Sequence, residues 1–298
     1  MKIINIHISR IIFTVCLILL ACRDTTNNEP LPFTPIQQPA FTVPQEYSQL
    51  EHQLVRADLD NNGLEDIIML LSNQTSGSSG FDSLLVFQYD TANNAFKKTF
   101  NSGYDRGQRI DITNITDDLN PEILVYTDAG GSSPVASLGL TILTSTTNGI
   151  RTLRTFSEGR PHLVQLGQDS VLAISLFTNY GNLLLKTQEV PYIDSLVFFR
   201  TLDPERERAL KSEFLRVEIN RINEEYLGAK ARFRLRKTNE TLFRVYSFAV
   251  QKILYYKMLG DMAEMNKWYQ EEQQFWNQNF TSDYIDMLDE AREEHLSL

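Results

Sequence analysis

Thiol chemistry is almost missing from this chain. Of its 298 residues only two are cysteine, Cys16 and Cys22, and both lie in or next to an apolar N-terminal run. The body of the chain therefore has no pair for a disulfide and no thiol for redox or nucleophilic work. Histidine is scarce as well: His7, His52, His162 and His295 stand far apart, with no spacing that would gather two on one zinc ion. Basic residues are the minority, 28 against 38 acidic for a formal net charge of −10, a balance that excludes nucleic acid as a partner. No G-x-S-x-G, P-loop, H-E-x-x-H or dinucleotide fingerprint occurs. The glycines at 130 and 131 run into Ser132, Ser133 and Pro134, which offers a phosphate no helix to sit on.

What is present begins with an address. Lys2 and Arg10 precede the apolar run from Ile11 to Leu20, and Leu19, Leu20, Ala21 and Cys22 follow as a small-residue cleavage site, so residues 1–21 read as a signal peptide. That tetrapeptide resembles a bacterial lipobox. The resemblance implies that Cys22 becomes the first mature residue, carries acyl chains such as palmitate, and holds the protein to membrane lipid. The expected location is the bacterial outer membrane or cell surface, facing the periplasm or the exterior. Loss of the leader removes Lys2 and Arg10 and no acidic residue, which leaves the mature chain more acidic still. Residues 22–47 hold prolines at 30, 32, 35, 39 and 44 among Thr, Asn and Gln, the composition of an extended tether.

From 48 to 200 short apolar runs alternate with Gly, Asn, Asp and Ser, the signature of an all-β domain. An internal repeat lies inside it. Asp66, Ile67 and Ile68 match Glu122, Ile123 and Leu124 at a spacing of 56, and Leu84 to Phe87 match Leu140 to Leu143 at the same spacing. Phe100 with Phe156 and Gly103 with Gly159 keep it, while the Gly-Ser-Ser stretches at 77–79 and 131–133 miss it by two. A fainter third unit places Asp194, Ser195 and Leu196 at twice the period from Asp82, Ser83 and Leu84. Repeats of this length point to one four-stranded, propeller-like blade each. Three are too few for an ordinary propeller, so an incomplete propeller capped by the C-terminal part, a pairing of copies, or a sandwich is expected.

The residues that promise chemistry open the first repeat. Asp58 to Asp66 read D-L-D-N-N-G-L-E-D, with Asp58, Asp60 and Asn62 at ligand positions one, three and five, the Leu64 carbonyl at seven and Asp66 at nine. A hard cation takes six to eight oxygens, and Gly63 permits the sharp turn between the two halves of the loop. An EF-hand needs a bidentate Glu at position twelve; Met69 stands there, inside an apolar strand. The loop and its strand resemble instead the calcium loop of FG-GAP/VCBS repeats, the blade units of integrin-type β-propellers. That resemblance implies a structural Ca²⁺ held by Asp58, Asp60, Asn62, Leu64 and Asp66. In the second repeat Asn114, Thr116, Asp118 and Leu119 replace Asp58, Asp60, Asn62 and Gly63, so a plain structural turn is expected there.

Residues 201–298 change character. Pro204, Gly228 and Gly260 are the sole proline and glycines beyond Asp203, and the pattern predicts helices over 204–227, 238–259, 261–279 and 282–296, an α-helical domain. The 242–259 stretch is apolar around most of its girth, as a central bundle helix is. Lys230, Arg232, Arg234, Arg236 and Lys237 alternate with apolar residues and read as a short strand or a solvated face, with Glu218, Glu224 and Glu225 as nearby partners. Trp268, Tyr269, Phe275, Trp276, Phe280 and Tyr284 read as core and, less well, as a sugar-binding face. The acidic residues from Asp283 to Glu294 read as a solvated helix side. The combined expectation is a non-enzymatic binding or scaffold lipoprotein of the envelope that recruits a protein or glycan. A hydrolase of envelope carbohydrate or peptide is the alternative, and it requires two carboxylates from separate regions to meet in one cleft.

Overall fold

The computed structural model describes residues 38–72, 80–128, 138–157, 159–179 and 192–293. The signal segment, Cys22, most of the tether and both Gly-Ser-Ser stretches lie outside them. Residues 40–298 form one compact unit. Seven antiparallel strands pair in chain order in one sheet: β1 (Glu51–Ala57), β2 (Asp66–Ser72), β3 (Phe81–Asp90), β4 (Ala95–Thr113), β5 (Glu122–Asp128), β6 (Leu138–Thr146) and β7 (Gly149–Phe156). A second sheet has the order β10-β9-β8, with β8 (His162–Leu166), β9 (Val171–Asn179) and β10 (Tyr192–Phe198). Four helices follow: α1 (Pro204–Leu235), α2 (Asn239–Leu259), α3 (Met262–Asn279) and α4 (Ser282–Glu293).

The repeat written in the sequence is the register of the large sheet. Ile67 pairs with Phe87 and Ile123 with Leu143; Ala57 pairs with Asp66 and Thr113 with Glu122. Strand β4 closes the first unit with its first half and opens the second with its second half, pairing with β3 up to Gly107 and with β5 from Gly107 onward. One expected landmark does not hold. Val86 pairs with Phe100, yet its counterpart Ile142 pairs with Arg154 and Phe156 pairs with Leu140, because the β6–β7 turn is shorter than the β3–β4 turn.

Alternation along β2 and β5 gives each unit two apolar faces. Ile68, Leu70, Leu84 and Val86 of the first unit pack against Ile123, Val125 and Leu143 of the second. The other face of the second unit, Leu124, Tyr126, Leu140 and Ile142, packs against Ile174 and Leu176 of the third. Successive units thus stack with the same face forward. The exposed end of the first unit, Ile67, Met69, Leu85 and Phe87, is covered by Phe41, Val43, Tyr47 and Leu50, three of which fall in the stretch read as tether. The far end of the third, Leu166, Val171 and Ala173, is covered by Leu210 and Phe214 of α1.

The helices start where the sequence predicts. Asp203 accepts the Arg206 N–H at 2.9 Å as N-cap, and Gly260 ends α2 in a left-handed conformation. Helix α1 departs from expectation by running through Gly228 to Leu235, which puts Lys230, Arg232 and Arg234 in its last two turns with Arg236 as C-cap and Lys237 just beyond; no strand forms there, and Arg232, Arg234, Arg236 and Lys237 are exposed, as the solvated-face reading expects. Basic side chains suit the negative end of the helix dipole. Lys230 pairs with Glu272 of α3, not with the acidic residues of its own helix, and Tyr226 donates to the same carboxylate at 2.7 Å. Trp268, Tyr269, Trp276 and Phe280 are buried in the core around α2, which settles that group as core packing. Lys252 is buried in the same core, donates to Asn223 at 2.6 Å, and lies over the Trp268 ring at 4.2 Å.

Two predictions follow from these contacts. A Cβ at Gly107 would lie 2.4 Å from the Phe81 ring, whereas at Gly103 its nearest neighbour would be 3.8 Å away. Gly107→Ala should therefore lower stability in urea by ~1–3 kcal/mol, with Gly103→Ala within about 0.5 kcal/mol of the parent. Burial pushes the Lys252 ammonium down to about 8 from its ordinary 10.5, against the pull of Glu272 and Glu271. Between those two pH values the unfolded chain keeps a proton that the fold has released, so stability rises with pH across that window. Urea titrations should show the parent gaining on Lys252→Met as pH climbs through it; parallel curves would refute the assignment.

Candidate metal centre

The Asp58–Asp66 loop joins β1 to β2 as a hairpin closed by the Ala57–Asp66 pair. Its backbone turns left-handed at Asn61 (φ 55°) and Gly63 (φ 84°), where Gly carries no Cβ penalty. Asp58 organises the turn: Oδ1 accepts the Asn62 N–H at 3.0 Å and Oδ2 accepts that of Gly63 at 2.8 Å. Asn62 Oδ1 accepts the Leu64 N–H at 2.8 Å. Asp66, fully buried, accepts the Leu59 N–H at 3.0 Å and the Tyr89 N–H at 2.9 Å, tying the loop to β3.

Asp58, Asp60 and Asp66 converge so that one oxygen of each lies within 4.8 Å of the others. Gathered carboxylates repel. Burial pushes the Asp66 carboxyl up to about 6, the Tyr89 and Leu59 N–H groups pull it back, and Asp60 and Asp58 push it further. Asp60 is raised by burial and then by Asp58. A divalent cation would relieve this repulsion, and the donors are the hard oxygens that Ca²⁺ prefers. Each engaged oxygen keeps a second lone pair, so Asp58, Asp60 and Asp66 could hold such an ion, while Asn62 Oδ1 is turned to the Leu64 N–H.

The second loop meets the same structural need without gathering charge. Glu122 occupies the place of Asp66, accepts the Ile115 N–H at 2.8 Å as Asp66 accepts that of Leu59, and takes the Thr116 hydroxyl at 2.9 Å and the Thr144 hydroxyl at 3.4 Å. Burial raises its carboxyl while Ile115 and Thr116 draw it down. A guanidinium supplies the positive charge: Arg200, between β10 and α1, donates to the Asn114 carbonyl at 3.2 Å and to its side-chain oxygen at 3.3 Å, and Thr201 N–H donates to Asp117 at 2.6 Å. Sequence reading missed this clamp.

A second group of polar residues joins the third unit to the helices. The Asp194 carboxylate accepts the Tyr255 hydroxyl at 2.7 Å and lies 3.5 Å from Arg221, and the Tyr255 oxygen accepts the Asp194 backbone N–H at 3.1 Å. Glu218 binds the same Arg221 at 2.6 Å. These two carboxylates are the pair from separate regions that share one cleft. No family model, curated protein or solved structure matches the chain.

The clamp is testable on its own. Arg200→Met should cost ~1–2 kcal/mol of stability through lost hydrogen bonds to the second loop, and hydrogen exchange should quicken across residues 114–121. A variant with parental stability and exchange would show that the guanidinium holds nothing.

Proposed function

We propose that this chain is a non-enzymatic, calcium-stabilised binding or scaffold lipoprotein of the bacterial envelope, held to membrane lipid through acylated Cys22. Its three stacked units are read as blades of the FG-GAP/VCBS, integrin-type β-propeller kind, set in an open array closed at one end by residues 41–50 and at the other by the helices. The same-face-forward stacking of the units supports the blade reading. The calcium reading is carried by the convergence of Asp58, Asp60 and Asp66 at the head of the first unit. It is strengthened by contrast, because the second loop meets its structural need with hydroxyls and an arginine and gathers no such charge. In this role the ion is structural: it fixes the β1–β2 hairpin and acts on no substrate.

The hydrolase alternative would draw on Asp194 and Glu218. Both are bound by Arg221, and neither is set apart from that cation in the opposed environments that an acid and its base need. Binding is the reading kept.

Thermal melting of the full chain tests the ion. Millimolar Ca²⁺, the range of extracellular modules, should raise Tm relative to EDTA, by an amount that grows with the logarithm of ion concentration. Asp60→Asn, at an exposed loop position, should abolish the rise while leaving the EDTA melt near that of the parent. A parent indifferent to Ca²⁺, or a rise that survives in Asp58→Asn with Asp60→Asn, would end the calcium reading.

A further inference from the structure

The last turns of α1 leave an apolar row in water. Residues four apart follow one another along one side of a helix, and Leu227, Ala231 and Leu235 stand in such a row. All three are exposed, Leu227 at 52% and Leu235 at 86%. The opposite side of the same turns carries Tyr226, Ala229 and Phe233, buried in the helical core with Phe233 edge-on to Phe275 of α3. The row therefore points away from that core.

Charge of one sign surrounds it. From Tyr226 to Lys237 there are five basic residues and no acidic one, in a chain whose net charge is −10. Lys230 is spent on Glu272. Arg232 and Arg234 flank Leu235 on the last turn, Arg236 is the C-cap and Lys237 follows it; all four are exposed, and none is ion-paired among the described residues. The Arg232 guanidinium lies back along the row, 3.9 Å from where a Gly228 Cβ would stand. The backbone that presents them is fixed. Arg236 N–H donates to the Arg232 carbonyl at 2.9 Å, and the Arg236 carbonyl accepts the Thr238 N–H at 2.8 Å and the Thr241 hydroxyl at 2.7 Å, next to the capping box of α2.

The helix dipole accounts for basic residues at this end, but it gives the leucines no reason to stand in water. An anionic polysaccharide would meet the arginines and leave the row wet. An anionic bilayer satisfies both, with phosphates on the guanidinium forks and leucines at the acyl boundary. The row runs about 12 Å from Leu227 to Leu235, enough to lie in the interface and far too short to cross it. We propose that the end of α1 docks on an anionic lipid surface, with Leu227 and Leu235 entering the acyl boundary and Arg232, Arg234, Arg236 and Lys237 against headgroup phosphates. This gives the lipoprotein reading a second hold on the membrane and rests on that reading only for its cellular setting.

Residues 23–298 contain the compact unit whole and lack the apolar leader and Cys22, so in that chain the acyl anchor plays no part. Vesicles of phosphatidylcholine and phosphatidylglycerol in equal parts should carry it down on sedimentation, vesicles of phosphatidylcholine alone should not, and binding should fade as salt rises. Arg232→Gln with Arg236→Gln should weaken vesicle binding by about tenfold or more, and Leu235→Ser by about tenfold, each with the parental melting curve because the altered side chains are exposed. Four results would overturn the proposal: no binding to the anionic vesicles, equal binding to the neutral ones, undiminished binding in either variant, or retention on heparin without vesicle binding, which would assign the arginines to a polysaccharide. Failure here leaves the Cys22 anchor standing, and a mature N-terminus without acyl chains leaves this contact standing.

Discussion

A sheet whose central strand is apolar on both sides has to be covered twice, and that demand organises the whole molecule. Strand β2 is buried from Asp66 to Leu71 with no alternation of wet and dry positions, and β5 repeats the pattern. Burial of such side chains contributes roughly 1.5–3 kcal/mol apiece, so neither unit is stable with one face in water. Stacking solves the problem for inner faces and passes it to the ends. Phe41, packed at 5.1 Å on both Phe87 and Phe96, closes one end, and α1 closes the other. The helices are therefore part of the sheet's core as much as a domain of their own.

Within each of the first two units a single buried carboxylate sits where the strand begins. Asp66 and Glu122 do the same work on the preceding loop, each accepting an N–H from the residue that plugs the loop into the core, Leu59 or Ile115. The two loops then diverge in how they balance charge. The first concentrates aspartates; the second recruits hydroxyls of its own and an arginine from the approach to the helices. The second loop thereby anchors the junction between sheet and helix, through Asn114 to Arg200 and Asp117 to Thr201.

Much of this was legible from the residues. The period of 56 reappears as strand register, the switch from sheet to helix falls between Phe198 and Pro204, and Asp203 and Gly260 mark helix ends as capping chemistry requires, whereas Ser282 is the first residue inside α4 and not its cap. Local signals of this kind are written over a few positions. The failures have a common cause. Helix α1 passes Gly228 because one glycine costs only about 1 kcal/mol against the good helix formers around it. The partnerships of Arg200 with Asn114, Lys230 with Glu272 and Asp194 with Tyr255 join residues far apart in the chain, where no spacing rule reaches. The two-residue slip of the final strand arose in a turn, the place where a repeat most easily loses count.

Tyr255 carries a consequence for growth. The first unit has β4 beyond β3 and the second has β7 beyond β6, but among the described residues no strand pairs beyond β10. The tyrosine oxygen instead occupies the Asp194 N–H, one of the bonds that another strand would claim. A naked border there would invite a neighbouring chain to zip on and seed fibres. A phenol from a helix takes up that donor, which leaves the β10 border one bond fewer to offer a neighbouring chain.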